Sequence, residues 1–192
     1  MPDLKKELAA ELRAERYDLT PEGVYFPRNG AMASGMYFDR VNGGEWQFTK
    51  NIITDQGFAH LLNVALGAAA KPAGYYLAIH NGSASPAANW TGATYAAAAG
   101  EIVSLTEGHT GATRPQWTPA DATAGVIDNL ATAAEFTIAT AGTLNVTGAA
   151  LLTNSQRGGT TGALISAILF PAERQFQDGD KWELGYRLTF TR

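Results

Sequence analysis

The chain has 192 residues, enough for one substantial core, yet only 17% are charged, against about 25% in ordinary soluble domains. A net charge of −4 and a pI near 5.3 argue against a nucleic-acid backbone as partner, and no run approaches the ~18 apolar residues of a membrane span. The absence of cysteine excludes disulfides, thiolate nucleophiles and cysteine-bound zinc together. The charged N-terminus lacks the form of a secretion leader, so synthesis in a cytoplasm is expected.

Residues 1–34 differ from the rest and read as an N-terminal helical arm and tether; residues 35–192 read as one β-rich domain. Leu4, Leu8 and Leu12 recur every fourth residue among Lys5, Lys6, Glu7, Glu11, Arg13, Glu15 and Arg16, the pattern of an amphipathic helix with a narrow apolar stripe. A helix of about four turns is marginal alone in water. The leucines therefore need a surface, on their own domain or on a neighbouring subunit. Pro21, Gly23, Pro27 and Asn29-Gly30 then break regular structure.

Asn42-Gly43-Gly44, between alternating Tyr37, Asp39, Val41 and Trp46, Phe48, predicts a hairpin of 35–41 with 45–50. Over 54–67, Phe58, Leu61, Leu62, Ala65 and Leu66 fall at i, i+3, i+4, i+7 and i+8. That spacing predicts the one internal helix, started by Thr54 or Asp55 and closed by a left-handed Gly67. Tyr75, Leu77 and Ile79 alternate with Tyr76, Ala78 and His80 as a strand ending at Asn81-Gly82. Residues 83–100 read as a long loop of Ala, Ser and Thr carrying Pro86 and Trp90. Further strands are expected over 102–105, 135–139, 143–147, 149–152 and 163–170, with a turn at Asp178-Gly179-Asp180. The last stretch alternates without error: Trp182, Leu184, Tyr186, Leu188 and Phe190 share one face, and Glu183, Gly185, Arg187, Thr189 and Thr191 the other. About seven or eight short strands with regular turns predict a mainly β fold, a β-sandwich or jelly roll with one internal helix and the N-terminal arm.

Chemistry is sparse. His60, His80 and His109 have no second ligand at metal-binding spacing, so packed or surface roles are expected. None of Ser83, Ser85, Ser104, Ser155 and Ser166 lies in a Gly-x-Ser-x-Gly elbow. Glu101, Glu107, Asp121 and Asp128 read as solvated loop acids, although a spatial pair of them would suit glycoside hydrolysis. No phosphate-binding glycine loop is present. No catalytic residue, metal or cofactor is expected, and the protein reads as a non-enzyme.

From residue 72 to 156 there is no lysine and a single arginine, Arg114, against five acids. Neutral, small loops suit close packing against other molecules, or reflect a bias toward Ala and Thr. Trp90 and Trp117, in loop-like surroundings, read as interface anchors, as loop pins on the core, or as platforms for sugars. The candidate partner-binding residues are Leu4, Leu8, Leu12, Trp90, Trp117 and Arg114.

The segments NIITDQGFAHLLNVALG (51–67), PAGYYLAIHNGSASPAANWTGATYAAAAGE (72–101) and RPQWTPADATAGVIDNLATAAEFTI (114–138) together resemble a family of tailed-bacteriophage virion proteins. In that family a helix after a TDxG start precedes a strand with paired aromatics, an Arg-x-x-Trp and a β half ending in Gly-Asp and an alternating strand. The resemblance covers roughly 45–192 and implies a structural place in the virion, with no catalytic residue to carry over. A capsid decoration or cement protein is the leading expectation. Its partners would be the major capsid protein or other virion proteins, and it would form a homo-oligomer, a trimer by the habit of such β proteins. A tail, head–tail adaptor or fibre-base component is the alternative within the particle, and a carbohydrate-binding module using Trp90 and Trp117 the alternative outside it.

Overall fold

The computed structural model describes Lys6, Ala10, the backbone of two short strands within 18–25, and residues 32–191. Leu4, Leu8 and Leu12 lie outside the described residues. The chain divides into two compact units, Met1–Met32 with Thr191–Arg192, and Ala33–Phe190. In the first unit β1 (Asp18–Thr20) and β2 (Gly23–Tyr25) pair antiparallel, Asp18 opposite Tyr25. A short hairpin therefore stands where the sequence predicts an irregular tether; Pro21 falls between the two strands in sequence and breaks neither.

The second unit runs β3 (Met32–Val41), β4 (Gln47–Lys50), β5 (Ile52–Ile53), α1 (Asp55–Ala65), β6 (Tyr75–His80), α2 (Gly92–Ala99), β7 (Gly108–His109), β8 (Gln116–Trp117), β9 (Val126–Asp128), β10 (Ala134–Ala139), β11 (Leu144–Leu152), β12 (Leu164–Phe176) and β13 (Lys181–Thr191). The strands form two antiparallel sheets. One has the order β4-β3-β13-β10-β7 with β9 also on β13, and the other β5-β12-β11-β6-β8. The β3–β4 hairpin forms as expected, with Phe38 opposite Phe48 and Asn42 and Gly43 at positive φ in its turn.

The core lies between the sheets. Tyr37, Phe136, Ile138, Trp182, Leu184 and Tyr186 of one sheet meet Leu77, Ile79, Val146, Leu151, Ile165 and Phe176 of the other, so the β-sandwich is established. Polar groups tie the layers. The Tyr37 hydroxyl lies 2.8 Å from Ser166 Oγ. Buried Asp39 accepts from Trp182 Nε1 at 3.1 Å and from Arg174 at 2.9 and 3.1 Å. Such a buried carboxylate is tolerable because its oxygens are matched by three donors.

β13 follows its alternation from Trp182 to Leu188, all buried, while Phe190 is exposed. Gly185, on the other face, is buried because the Phe38 ring rests on it, leaving no room for a β-carbon. The two strands expected over 143–152 are one continuous β11, and β12 runs on to Phe176. Between the pairs Val146↔Arg174 and Gly148↔Leu169 β12 carries extra residues including Pro171, which cannot donate to the ladder and so marks a bulge. The strand expected over 102–105 is absent. Glu101 makes a lone bridge to His80, and Val103 and Leu105 are exposed.

The loop expected over 83–100 contains α2, so two internal helices stand where one is expected. Ala93, Ala96, Ala97, Ala98 and Ala99 supply the strongest helix former. The Thr94 hydroxyl accepts from Thr91 N at 3.0 Å, and Gly100 closes the helix at φ 67°. The apolar period fails as a signal because the face is made of small residues. Tyr95 and Ala99 lie on Ala78, Ala150 and Ala167 of the second sheet, which is thereby buried on both faces.

α1 forms where expected, and Thr54 caps it, accepting from Gly57 N at 3.0 Å while donating to Leu164 O at 2.6 Å. Leu66 closes it and Gly67 does not take positive φ. The apolar stripe of α1 is only partly buried. Leu61 packs on the core, whereas Phe58, Leu62 and Leu66 are 42%, 59% and 85% exposed. The reason is Gly57. A β-carbon there would strike the Ile165 carbonyl, so the glycine side of the helix lies on β12 and the large side chains turn away.

Candidate functional site

Of the carboxylates that could have met in space, Glu101, Glu107 and Asp128 each have a different partner. Glu101 takes a bidentate bond from Arg114, Nε and Nη2 both at 2.7 Å, and a further bond from Gly158 N at 3.0 Å. Glu107 accepts from Thr140 Oγ1 at 2.6 Å and Ala141 N at 2.9 Å, and these bonds hold its carboxyl below the usual range. Asp128 pairs with Arg187 at 2.7 Å, and Glu135 with Lys181 at 2.8 Å. Two of the five acids of the charge-poor window, Asp128 and Glu135, are thus matched by cations from β13. Glu101 departs from the expected solvated acid, since its side chain is 2% exposed.

Arg114, expected at a partner surface, is buried; its third nitrogen, Nη1, donates to Asn154 O at 2.8 Å. Its planar fork suits this closed, bidentate pairing, so the guanidinium is occupied inside the fold. Arg157, not singled out by the sequence, caps four carbonyls: Ile102, Ser104, His109 and Gly111, at 2.7 to 3.2 Å. Burial pulls its guanidinium below the ordinary arginine value. It fastens the irregular segment between α2 and β8, a long-range role without a local sequence signal.

His80 and His109 are interior. His80 Nδ1 lies 3.1 Å from the Tyr95 hydroxyl, and desolvation lowers the imidazole pKa to about 4. His109 stacks edge-on against Phe136 and is lowered to about 4 by burial and, secondarily, by Arg157. His60, half-buried on α1, lies 3.2 Å from the Tyr75 hydroxyl, and burial lowers it too. Among the described residues no three of His, Asp and Glu gather as metal ligands, and no helix is long and apolar enough to cross a membrane.

Trp117 is interior, 7% exposed, on β8, and its Nε1 donates to Tyr186 O at 2.9 Å across the sandwich. Of the three readings offered by the sequence, the loop pin is the one this geometry fits, because the indole donor and most of the ring are occupied. Trp90 is half-buried beside the α2 cluster, so a platform of two open indoles for a sugar is absent.

Trp117 is also a wall of an apolar cavity of about 330 Å³ at the β8–β9 end of the sandwich. Leu151 and Ile165 come from one sheet, Ile127, Tyr186 and Leu188 from the other, and Leu61 from α1. Its exposed lining includes Lys71, Gln116 and Thr118. His80, His109, Glu101 and Arg114 do not line it.

α1 provides the other distinctive feature. Residues 56–70, QGFAHLLNVALGAAA, contain no Asp, Glu, Lys or Arg. With Phe58, Leu62 and Leu66 open to solvent, a helix face and the segment after it are both uncharged and apolar. No protein-family model matches the chain, and neither does any curated protein.

Proposed function

We propose that this chain is a structural component of a tailed-bacteriophage virion, a capsid decoration protein that binds the head by protein–protein contact as a homo-oligomer. The observation that carries the reading is the apolar, charge-free face of α1 on a body whose buried charges are already paired. A soluble domain that works alone covers such a face with lysine and glutamate. Contact there desolvates no charge, so burial of Phe58, Leu62 and Leu66 against a capsid subunit contributes favourably at every copy. Many such contacts, repeated by symmetry, reinforce a shell without any one being strong. The motif resemblance supplies the particle, and the pairing of Glu101, Glu107 and Asp128 supports a role without catalysis.

The test is incorporation. Phe58→Glu and Leu62→Glu alter exposed positions and leave the sandwich folded, with an unchanged circular dichroism spectrum. Particles assembled with either variant should lose the protein, while particles with the unaltered chain carry it in hundreds of copies on the head, as a decorated lattice requires. Full incorporation of both variants, or a location confined to the tail, would overturn the proposal.

A further inference from the structure

The cavity between the sheets points to a small-molecule site, independent of any virion role. Protein interiors fill space to crystal-like density, whereas this partly open pocket leaves apolar side chains of both sheets uncovered by other side chains of the chain. About 330 Å³ lies at the small end of ligand pockets. Water is a poor occupant, because it needs two to four polar partners. The indole N–H of Trp117 is committed to Tyr186 O, and the Tyr75 hydroxyl faces His60. The Tyr186 hydroxyl lies beside Gly35 and Asn51, neither of which lines the space.

The exposed part of the lining has the opposite character. Lys71 has no ion pair among the described residues, and no Asp or Glu lines the cavity. Gln116 and Thr118 add neutral donors beside it. Among the described residues the arginines of the domain are fastened to carboxylates or carbonyls, whereas the Lys71 ammonium at this apolar opening has no carboxylate partner. An aliphatic and aromatic interior with one cation and two neutral donors at its edge has the polarity of an anionic amphiphile laid tail inward.

We infer that the cavity binds a small monocarboxylate with an aliphatic body of about ten carbons, its chain between Leu151, Ile165 and Leu188 and its carboxylate on Lys71. A charge-assisted hydrogen bond at this partly open position gives the ligand its sign preference.

Decanoate and decanol, titrated below their aggregation limits into the full chain with labelled methyl groups, separate the alternatives. Decanoate should shift the methyls of Ile127, Leu151, Ile165 and Leu188 and leave those facing α2 unmoved. Lys71→Gln, at an exposed position with no ion pair among the described residues, should weaken decanoate about tenfold and leave decanol unchanged. Equal affinity for decanol and decanoate in the unaltered protein would overturn the inference. So would methyl shifts outside the cavity, or no shift with either compound, the result expected if a partner's side chain fills the space instead.

Discussion

Arg114→Met separates an internal role for this arginine from a role at a partner surface, because an internal role is visible in the isolated protein. Arg114 and Glu101 expose 1% and 2% of their side chains, and their two bonds are both 2.7 Å. Methionine fills much of the same volume but leaves the Glu101 carboxylate buried, with the Gly158 amide as its remaining hydrogen-bond donor among the described residues. It also leaves the Asn154 carbonyl without its guanidinium donor. Removing one member of a buried pair costs about 3–5 kcal/mol, a large share of the roughly 5–15 kcal/mol that holds a domain of ordinary stability. Glu101→Gln in the same chain removes the stranded charge, so the double variant should be more stable than the two single losses sum to, by about 2 kcal/mol. Urea unfolding of the four proteins, followed by tryptophan fluorescence, measures the cycle. A loss under about 1 kcal/mol for Arg114→Met, or strict additivity, would refute the buried-pair account and return Arg114 to the surface.

Two further outcomes follow from the geometry. Gly57→Ala puts a methyl against the Ile165 carbonyl and should cost about 1–3 kcal/mol through displacement of α1 from β12; an unchanged midpoint in urea would show that the helix is not held by that approach. Acid should weaken the fold through His80 and His109. Both resist protonation down to about 4 when folded, whereas unfolded imidazoles take a proton near 6.5. The unfolded chain therefore binds more protons between those values. Stability is intact above about pH 6.5 and falls toward pH 4, with a slope near 1.4 kcal/mol per pH unit for each histidine. Equal melting temperatures at pH 7.5 and pH 5 would contradict this.

Much of the fold was legible because its signals are local. The strict alternation of β13, the Asn-Gly turn after β3 and the capped start of α1 each depend on residues near in sequence. The mainly β class follows from them. α2 was hidden because it packs small residue on small residue, so alanine content carried the information and periodicity did not. The strand expected over 163–170 runs on through Pro171 to Phe176, because a bulge lets the ladder pass a residue that cannot donate to it.

The sequence by itself determined the β3–β4 hairpin, the alternation of β13 and the helix α1 with its apolar residues; these depend on backbone preference and on the two- and 3.6-residue periods. Only the tertiary structure decided which way that apolar side faces, because the answer lies in the Ile165 carbonyl, more than a hundred residues from Gly57. It likewise decided that Arg114 and Trp117 belong to the interior. A side chain's exposure depends on what the rest of the chain brings to it, and both the Glu101 carboxylate and the Tyr186 carbonyl reach these residues from other elements.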